Sequence, residues 1–465
     1  MRRAIKATTK ANGKAASPTH KIAPGPRGVI FLGSLPDIRK DQLRMYVDAW
    51  REFGDVVRFR LGPLTAHLIA QPDHIHHVLV EGKENYSKGI AYEKLKIVLG
   101  LGLFTSEGEL WRRQRRLMQP LFTARAITKF APSMTGATED MLSRWRPYAE
   151  RGEAININFE MMRLTMSIIG RTMLGLDLEG EATETGRAFT FVLDYATHRT
   201  ISLVNVPLFI PTPLNRRFNE ARRTLDSLIY NIIEDRRRRK ESKNDLLSML
   251  LDARDEESGE RMGEKQIRDE VIIIFFAGHE TTAQALSWTW YLLSKHTEVE
   301  RRLHAELDSV LGGRAPTVDD LPNLNYTRMV IEESMRLYPP VWIFARDAIR
   351  DDEIGGYHIP AGSMVLMSQY ITHRHPDFWE NPEGFDPERF TEERSKNHPH
   401  YTYFPFGGGP RICIGNSFAM MEAQLILATV AQSYRLHLMP GYPVEPVALG
   451  TLRPRYNIVM TLHPR

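Results

Sequence analysis

Apolar residues recur every three or four positions in several charged segments, and this periodicity predicts amphipathic α-helices. The clearest segments are residues 42–53, 139–148, 215–240 and 298–311. A longer helix is predicted over residues 265–296. Its middle, residues 271–277, is apolar on every side and must therefore be buried.

Shorter runs rich in β-branched and aromatic residues predict strands. Residues 55–61 and 65–70 flank a Gly62-Pro63 turn, and residues 357–359 and 364–368 flank Pro360-Ala361-Gly362. Helical segments dominate the pattern. The predicted fold class is mainly α with a small β-sheet region.

The composition of the 465 residues, 42% hydrophobic and 25% charged, is that of a globular protein with a large core. The balance of 61 Lys and Arg against 57 Asp and Glu excludes nucleic-acid binding as the main function. The longest apolar run, residues 271–277, is far shorter than the ~20 residues of a membrane anchor. The single cysteine excludes a disulfide framework and indicates a reducing compartment.

Residues 1–23 form a basic tail in which no acidic residue occurs, the first being Asp37. Its cations are Arg2, Arg3, Lys6, Lys10, Lys14 and Lys21. We favour a disordered tail on a cytoplasmic enzyme, the alternative being a mitochondrial transit peptide. One folded domain is expected over residues 24–465. The basic run 236–240 is interpreted as a solvated helix end rather than a nucleic-acid patch.

Cys413 lies in a glycine-rich segment, residues 404–415, directly before a helical pattern over 416–434. Backbone N–H groups and the positive end of a helix lower the pKa of a thiol and stabilise the thiolate. The glycines allow the backbone to approach a flat ligand. A lone cysteine can also be a small buried apolar residue, and that alternative stays open on Cys413 alone.

The segment matches the pattern F-x-x-G-x-R-x-C-x-G at every fixed position, namely Phe406, Gly409, Arg411, Cys413 and Gly415. In this it resembles the cytochrome P450 family. The resemblance implies the cytochrome P450 fold and a haem b cofactor, iron protoporphyrin IX, with Cys413 as the proximal iron ligand. Phe406 would pack beside the thiolate and Arg411 would reach a propionate. A thiolate ligand pushes electron density onto iron and favours O–O cleavage.

The buried helix contains Ala277-Gly278-His279-Glu280-Thr281-Thr282. A zinc-protease H-E-x-x-H motif is excluded, because position 283 is alanine. Thr281 can bond back to the Ala277 carbonyl or hold a water, and Glu280 can relay protons.

This hexapeptide resembles the A-G-x-E-T-T of the family's distal helix. Ala277 and Gly278 are then implied to give room above the haem, Thr281 to steer dioxygen, and Glu280 to deliver protons. The acid–alcohol pair favours a monooxygenase over a peroxygenase or an oxygen-independent rearrangement. A haem-based sensor or carrier is the alternative outside enzymes.

Glu333 and Arg336 alone would be an ordinary helix-surface pair. Together with the Cys413 motif they resemble the family's E-x-x-R helix, and the later P-E-R-F segment contains Arg389. The implied triad is a buried structural network.

Three further residues resemble the family's haem-propionate ligands: Trp111 and Arg115 in a W-x-x-x-R pattern, and Arg346. Buried carboxylates need neutralising cations. The neighbouring Arg112, Arg113 and Arg116 are expected on the proximal surface, either as a patch that steers an electron donor or as a solvated helix face.

Position in the family fold implies a mostly apolar substrate pocket. Its candidates are segment 86–104, Ile273, Phe276, Ala277, Val341, Trp342, Ile343, Phe344 and Leu452. The expected substrate is a hydrophobic small molecule, a fatty acid or a terpenoid, which O₂ hydroxylates or epoxidises. The motif forms resemble eukaryotic-style and fatty-acid-hydroxylating members. The length leaves no room for a fused reductase, so a separate ferredoxin- or flavodoxin-type electron donor is expected. No nucleic acid and no membrane anchor are expected.

Overall fold

A computed structural model describes residues 21–176, 182–201, 206–239 and 245–465. The α-helices are α1 Leu35–Lys40, α2 Gln42–Phe53, α3 Pro72–His76, α4 Ile90–Leu99, α5 Gly108–Met118, α6 Ala124–Ile127, α7 Ala131–Arg151, α8 Ile157–Ile169, α9 Ala182–Ile201, α10 Pro213–Arg239, α11 Leu246–Asp252, α12 Glu264–Lys295, α13 Thr297–Leu311, α14 Asn325–Leu337, α15 Gln369–Thr372, α16 Glu392–Ser395 and α17 Asn416–Ser433. Short 3₁₀ segments are Lys83–Asn85, Gln119–Phe122, Thr128–Phe130, Val318–Asn323, Pro387–Phe390 and Gly409–Arg411, and π-helical turns are His77–Glu81 and Gly170–Leu174.

The strands are short and lie mostly towards the two ends of the chain. They are β1 Val56–Leu61, β2 Leu64–Ile69, β3 Tyr86–Ser87, β4 Ala154–Asn156, β5 Phe344–Ala348, β6 Asp352–Ile354, β7 Tyr357–Ile359, β8 Met364–Met367, β9 Tyr434–Leu438, β10 Pro446–Ala448, β11 Leu452–Pro454 and β12 Val459–Pro464. The prediction of a mainly α fold with a small sheet region is confirmed.

The predicted helices coincide with α2, α10, α12 and α13, and residues 139–148 form the middle of the longer α7. Lys240, the last residue of one prediction, lies outside the described residues. Val271 and Phe275 are buried, as the apolar run required. The core helices α8, α14 and α17 pack around α12. Of the described residues, none belongs to a helix that is long and apolar enough to cross a membrane.

The largest sheet has the strand order β1-β2-β8-β5-β3. β1 and β2 form the predicted antiparallel hairpin, and β8 lies parallel to β2. β7 and β8 both form where strands are predicted, but they do not pair with each other. β7 pairs with β6, while β8 joins the large sheet.

Two predictions concern basic segments. The end of the predicted tail, residues 1–23, contacts the folded domain: the Lys21 carbonyl accepts a hydrogen bond from the His358 N–H at 2.9 Å, and Ala23 is buried. In the run 236–240, Arg237 and Arg238 are exposed, in agreement with a solvated helix end, but Arg236 is not solvated. It is buried in an ion pair with Asp245, the residue before α11.

Candidate active site

The loop before α17 is shaped by hydrogen bonds that return the chain on itself. The Cys413 N–H donates to the Phe406 carbonyl at 2.9 Å. Gly409 has a φ of +63°, and a Cβ there would lie 2.2 Å from the Leu79 carbonyl oxygen. A side chain at this position is therefore excluded on both grounds. The loop ends at α17, which begins three residues beyond Cys413.

The Cys413 side chain faces space inside the protein. It is accessible to solvent, yet burial raises the pKa of its thiol, while the Gly415 N–H and the Arg115 charge act in the opposite direction. The expectation of a lowered pKa is therefore wrong for the protein alone, because desolvation outweighs the helix end and the cation.

One turn of the mostly buried helix α12 is accessible to solvent. Ala277 is exposed and Thr281 half-buried, although Phe275 and His279 beside them are buried. Since α12 runs through the core and packs against α17, this surface also faces inward. We use the name internal space for the inward surface of Ala277 and Thr281 together with the accessible side of Cys413.

The Thr281 hydroxyl lies at the internal space. Its Oγ1 donates to the Ala277 carbonyl at 2.6 Å, the first of the two arrangements expected from the sequence. Helix α12 is continuous through this turn. The hydroxyl oxygen retains lone pairs that can accept a hydrogen bond.

Glu280 points to different partners. Its carboxylate forms an ion pair with Arg453 at 2.5 Å and accepts a hydrogen bond from the Thr451 hydroxyl. Arg453 also lies 3.2 Å from Asp194 on α9. These partners come from distant parts of the chain, and no local pattern indicates them.

The expected role of Gly278 is corrected. A Cβ at this position would lie 2.7 Å from the Cδ1 atom of Ile169 on α8. The missing side chain thus allows α8 and α12 to approach closely, whereas the room at the internal space is given by Ala277.

Two of the predicted cations, Arg346 and Arg411, lie together in a second part of the site. The Arg411 guanidinium stacks on the Trp111 ring at 4.3 Å and donates to the Ser106 carbonyl at 3.1 Å. Arg346 is buried and donates to the adjacent Ala345 carbonyl. Each charge is thus held in place chiefly by aromatic and backbone contacts.

Lys88 joins this cluster and was missed by the sequence analysis. It is buried, and burial together with the charges of Arg411 and Arg346 lowers the pKa of its ammonium well below the usual value. The nearby acid, Glu107, lies 3.7 Å from Arg411. The only available signal was its place as a lysine inside the pocket-candidate segment 86–104. We call Lys88, Arg346 and Arg411 the cation cluster.

Arg115 lies at the cysteine loop instead. Its Nη1 donates to the carbonyl of Ile412, the residue before Cys413, at 3.0 Å. Burial lowers the pKa of its guanidinium, and the proximity of Cys413 raises it. Arg115 therefore supplies positive charge to the thiol side of the internal space.

These features fit the haem that the resemblance implies. Haem is flat, apolar in its ring and doubly negative at its propionates. The internal space offers the small apolar surface of Ala277 and the accessible sulfur of Cys413. The three cations of the cation cluster outnumber the nearby acid, Glu107. Buried like charges are costly unless an anion neutralises them.

The Glu333 triad is assembled as a buried network. Glu333 receives two hydrogen bonds from Arg336, at 2.7 and 2.8 Å, and one from Arg389 at 3.3 Å. The remaining Arg336 donors reach backbone carbonyls of His373, Pro382 and Gly384. The network joins α14 to the Pro387–Phe390 turn and contacts no residue of the internal space directly.

Some of the substrate-pocket candidates lie near Ala277 or are half-buried, whereas others are part of the core. Phe276 packs against Phe104 with ring centroids 5.8 Å apart, one residue from Ala277. Ile273 lies one turn earlier on α12 and is buried. The residues Val341, Ile343 and Phe344 are half-buried.

Trp342 and Leu452 do not belong to the pocket. Both are buried in the core around β1 and β2, where the Trp342 ring packs near Tyr46. The Trp342 Nε1–H donates to the Leu449 carbonyl, and the Leu452 carbonyl accepts from Trp288. In a short extended segment, successive side chains point to opposite sides. The sequence does not show which of them point to the core and which to the pocket.

Three of the four arginines of α5 are paired with acids. The pairs are Arg112–Glu109, Arg113–Glu260 at 2.9 Å, and Arg116 with Asp255 at 3.1 Å and Glu257 at 2.9 Å. This arrangement favours the solvated helix face over a bare basic patch.

Comparison with known proteins gives consistent matches. A family model described as Cytochrome P450 matches residues 23–462. The chain is 38% identical to a cyclooctatin synthase of Streptomyces melanosporofaciens over 92% of both chains. It is 37% identical to a cyclooctat-9-en-7-ol 5-monooxygenase of the same organism, over 91% of this chain and 88% of the other. It is 35% identical to a pentalenene oxygenase of Streptomyces avermitilis, over 86% and 88%.

Proposed function

The chain belongs to the cytochrome P450 family and is a monooxygenase, and we propose that Cys413 binds the iron of haem b at the internal space to oxidise a terpenoid. The observation that carries this proposal is the Cys413 sulfur, which is accessible within the protein and lies near Arg115. The cation cluster would hold the propionates, with Trp111 orienting Arg411.

The enzyme uses O₂ and electrons from a redox partner to oxidise a hydrophobic substrate. Bound haem supplies the iron at which O₂ is reduced and cleaved. In our proposal the protein's own groups then have separate tasks. The Thr281 hydroxyl holds a proton donor beside Ala277, and the apolar walls exclude bulk water.

Glu280 is proposed to supply protons from the other side of α12. Its carboxylate is held by Arg453 and Thr451, so proton transfer requires this carboxylate to exchange partners. The ion pair with Arg453 holds the carboxylate in this position between such events.

The substrate class follows from the relatives. Their names specify oxidation of pentalenene and of cyclooctat-9-en-7-ol, which favours a terpenoid over a fatty acid. The packed rings of Phe104 and Phe276 provide a rigid apolar wall suited to a compact hydrocarbon.

We further propose one haem-binding domain over residues 24–465, a cytoplasmic location and a ferredoxin- or flavodoxin-type donor. The family match over residues 23–462 supports a single domain. The bacterial sources of the relatives support the cytoplasm over the mitochondrial alternative. The ion pairs of α5 give no preference between the two donor types.

The substrate proposal is tested with pentalenene and lauric acid as probes. Each is added to the ferric enzyme and the spin-state shift recorded, followed by reductant consumption with a ferredoxin and its reductase. We expect a shift and substrate-dependent consumption with pentalenene only. Response to lauric acid alone would replace the terpenoid by a fatty acid. Shifts without any consumption would indicate a sensor.

A further inference from the structure

Two adjacent carboxylates of α12 accept hydrogen bonds from the backbone of the loop that follows α4. The Leu101 N–H donates to Asp269 Oδ2 and the Leu103 N–H to Glu270 Oε2, both at 2.9 Å. Both acids are buried. Hydrogen bonds to charged or buried acceptors are strong, and leaving such acceptors unpaired is costly.

Two glycines make this close approach possible. Gly100 has a φ of +76°, and a Cβ there would lie 2.2 Å from the Asp269 carboxyl carbon. A Cβ at Gly102 would lie 2.6 Å from Ile273 Cδ1 and 2.8 Å from Glu270 Oε2. The loop backbone therefore lies directly against α12, with no space for side chains at either position.

The same loop is held from its other side by amine and amide donors. Lys88 Nζ donates to the Leu103 carbonyl at 3.4 Å and to the Phe104 carbonyl. Gln114 Nε2 donates to the Leu101 carbonyl at 2.6 Å. Successive peptide groups are thus fixed between acids of α12 and donors from α5 and the chain after β3.

The side chain that this fixed backbone presents is Phe104. Its ring packs between Tyr92, at 5.3 Å, and Phe276, at 5.8 Å. Phe276 precedes Ala277 on α12, and Phe104 and Phe276 are both half-buried, so this pair of rings lies close to the internal space with part of its surface uncovered. The Lys88 ammonium lies over the Phe104 ring, 5.3 Å from its centroid. The position of the ring depends on this contact together with the backbone bonds of Leu101 and Leu103.

We propose that Asp269 and Glu270 are positioning residues that set the substrate specificity of the enzyme by holding Phe104 against Phe276. This inference deepens the proposed function, since it assumes that the substrate lies in the internal space. Burial raises the pKa of Glu270 to about 8, so a neutral glutamine closely mimics it.

The first test is amide hydrogen exchange in the wild-type holoenzyme and in Glu270→Ala. In wild type, Leu101 and Leu103 should exchange at least tenfold more slowly than Gly102, for whose N–H the described residues provide no hydrogen bond. Glu270→Ala should lose at least tenfold protection at Leu103, and Glu270→Gln should restore it. Glu422→Gln, a change of another buried carboxyl, is the control and should not alter the loop.

Fast exchange of Leu103 in wild type, or unchanged protection in folded Glu270→Ala, would overturn the positioning role. The wild-type measurement tests the positioning role even if Glu270→Ala does not fold. Exchange needs no substrate and no turnover, so this outcome is independent of the terpenoid proposal.

The second test uses imidazole and 4-phenylimidazole as spectral probes, since they differ only by a phenyl ring that must fit beside Phe104. We expect the ratio of their dissociation constants to change at least fivefold in Glu270→Ala and Phe104→Ala. In Glu270→Gln the ratio should equal that of the wild type. An unchanged ratio in both alanine variants would contradict a specificity role. A ratio that responds while pentalenene fails to bind would refute the proposed substrate only.

Discussion

Single residues of α12 differ in function according to the side of the helix on which they lie. Ala277 and Thr281 face the internal space, Gly278 faces α8, and Glu280 faces Arg453. In the sequence these residues form one continuous motif, so they are predicted to lie at one site. Only the packing of α12 shows that a single hydroxyl remains at the internal space.

Thr281→Ala should preserve haem binding but divert reducing equivalents to peroxide, because the hydroxyl that holds a proton donor is lost. The ratio of hydrogen peroxide released to reductant consumed measures this diversion. Thr289→Ala is a matched control: Thr289 Oγ1 makes the same back-bond, to Ala285, but is buried elsewhere on α12. Unchanged coupling in Thr281→Ala would refute the assigned role.

A second prediction concerns Glu422 of α17, which is fully buried, and burial raises its pKa to about 8. The folded protein keeps this proton between pH 4.5 and about 8, whereas the unfolded chain releases it. Glu422 therefore costs stability increasingly as pH rises through this window.

Glu422→Gln should remove that cost. In denaturant unfolding, its advantage over wild type should grow by up to about 1.4 kcal/mol per pH unit between pH 5 and 8. Glu392→Gln changes an exposed carboxyl and should show no such trend. Parallel pH profiles for wild type and Glu422→Gln would contradict a buried neutral acid.

At the scale of elements, periodicity predicts the long helix well: residues 265–296 against Glu264–Lys295. The partners of short strands are not predictable in this way. β7 and β8 are adjacent in sequence but belong to different sheets. Hydrophobic periodicity is a property of neighbouring residues, whereas strand pairing depends on segments far along the chain.

The triad that links α14 to the Pro387–Phe390 turn gives an element-scale prediction. Arg336→Lys keeps the charge but loses the bidentate bond to Glu333 and several carbonyl contacts. We expect the free energy of unfolding to fall by about 3 kcal/mol.

The matched control is Arg328→Lys on the same helix. Arg328 pairs with Glu332 at 2.6 Å and is more exposed, so the loss should stay below about 1 kcal/mol. Denaturant unfolding measures both variants. Equal effects would show that the triad contributes no more than a surface pair.

Across the whole molecule, the site combines segments that are far apart in sequence. The motif resemblance predicts Arg346 and Arg411, which do lie together, but Lys88 belongs to no motif. It became recognisable only as a buried cation beside two others. Similarly, Trp342 and Leu452 were misplaced because apolar residues serve core and pocket alike.

The cation cluster predicts how firmly the cofactor is retained. Arg346→Leu should speed haem transfer to apomyoglobin by about tenfold or more, since a hydrogen bond between charged groups contributes roughly 1.5–3 kcal/mol. Arg350→Leu alters an exposed arginine of the same segment and serves as the control. Equal transfer rates for wild type and both variants would remove Arg346 from the haem site.

The most direct test of the haem-thiolate centre is the carbon monoxide difference spectrum of the reduced, purified protein. The assignment of Cys413 predicts a strongly red-shifted Soret band in the wild-type protein, and loss of that band in Cys413→Ser. A wild-type band typical of histidine or thiol ligation, or a red-shifted band that persists in Cys413→Ser, would contradict it.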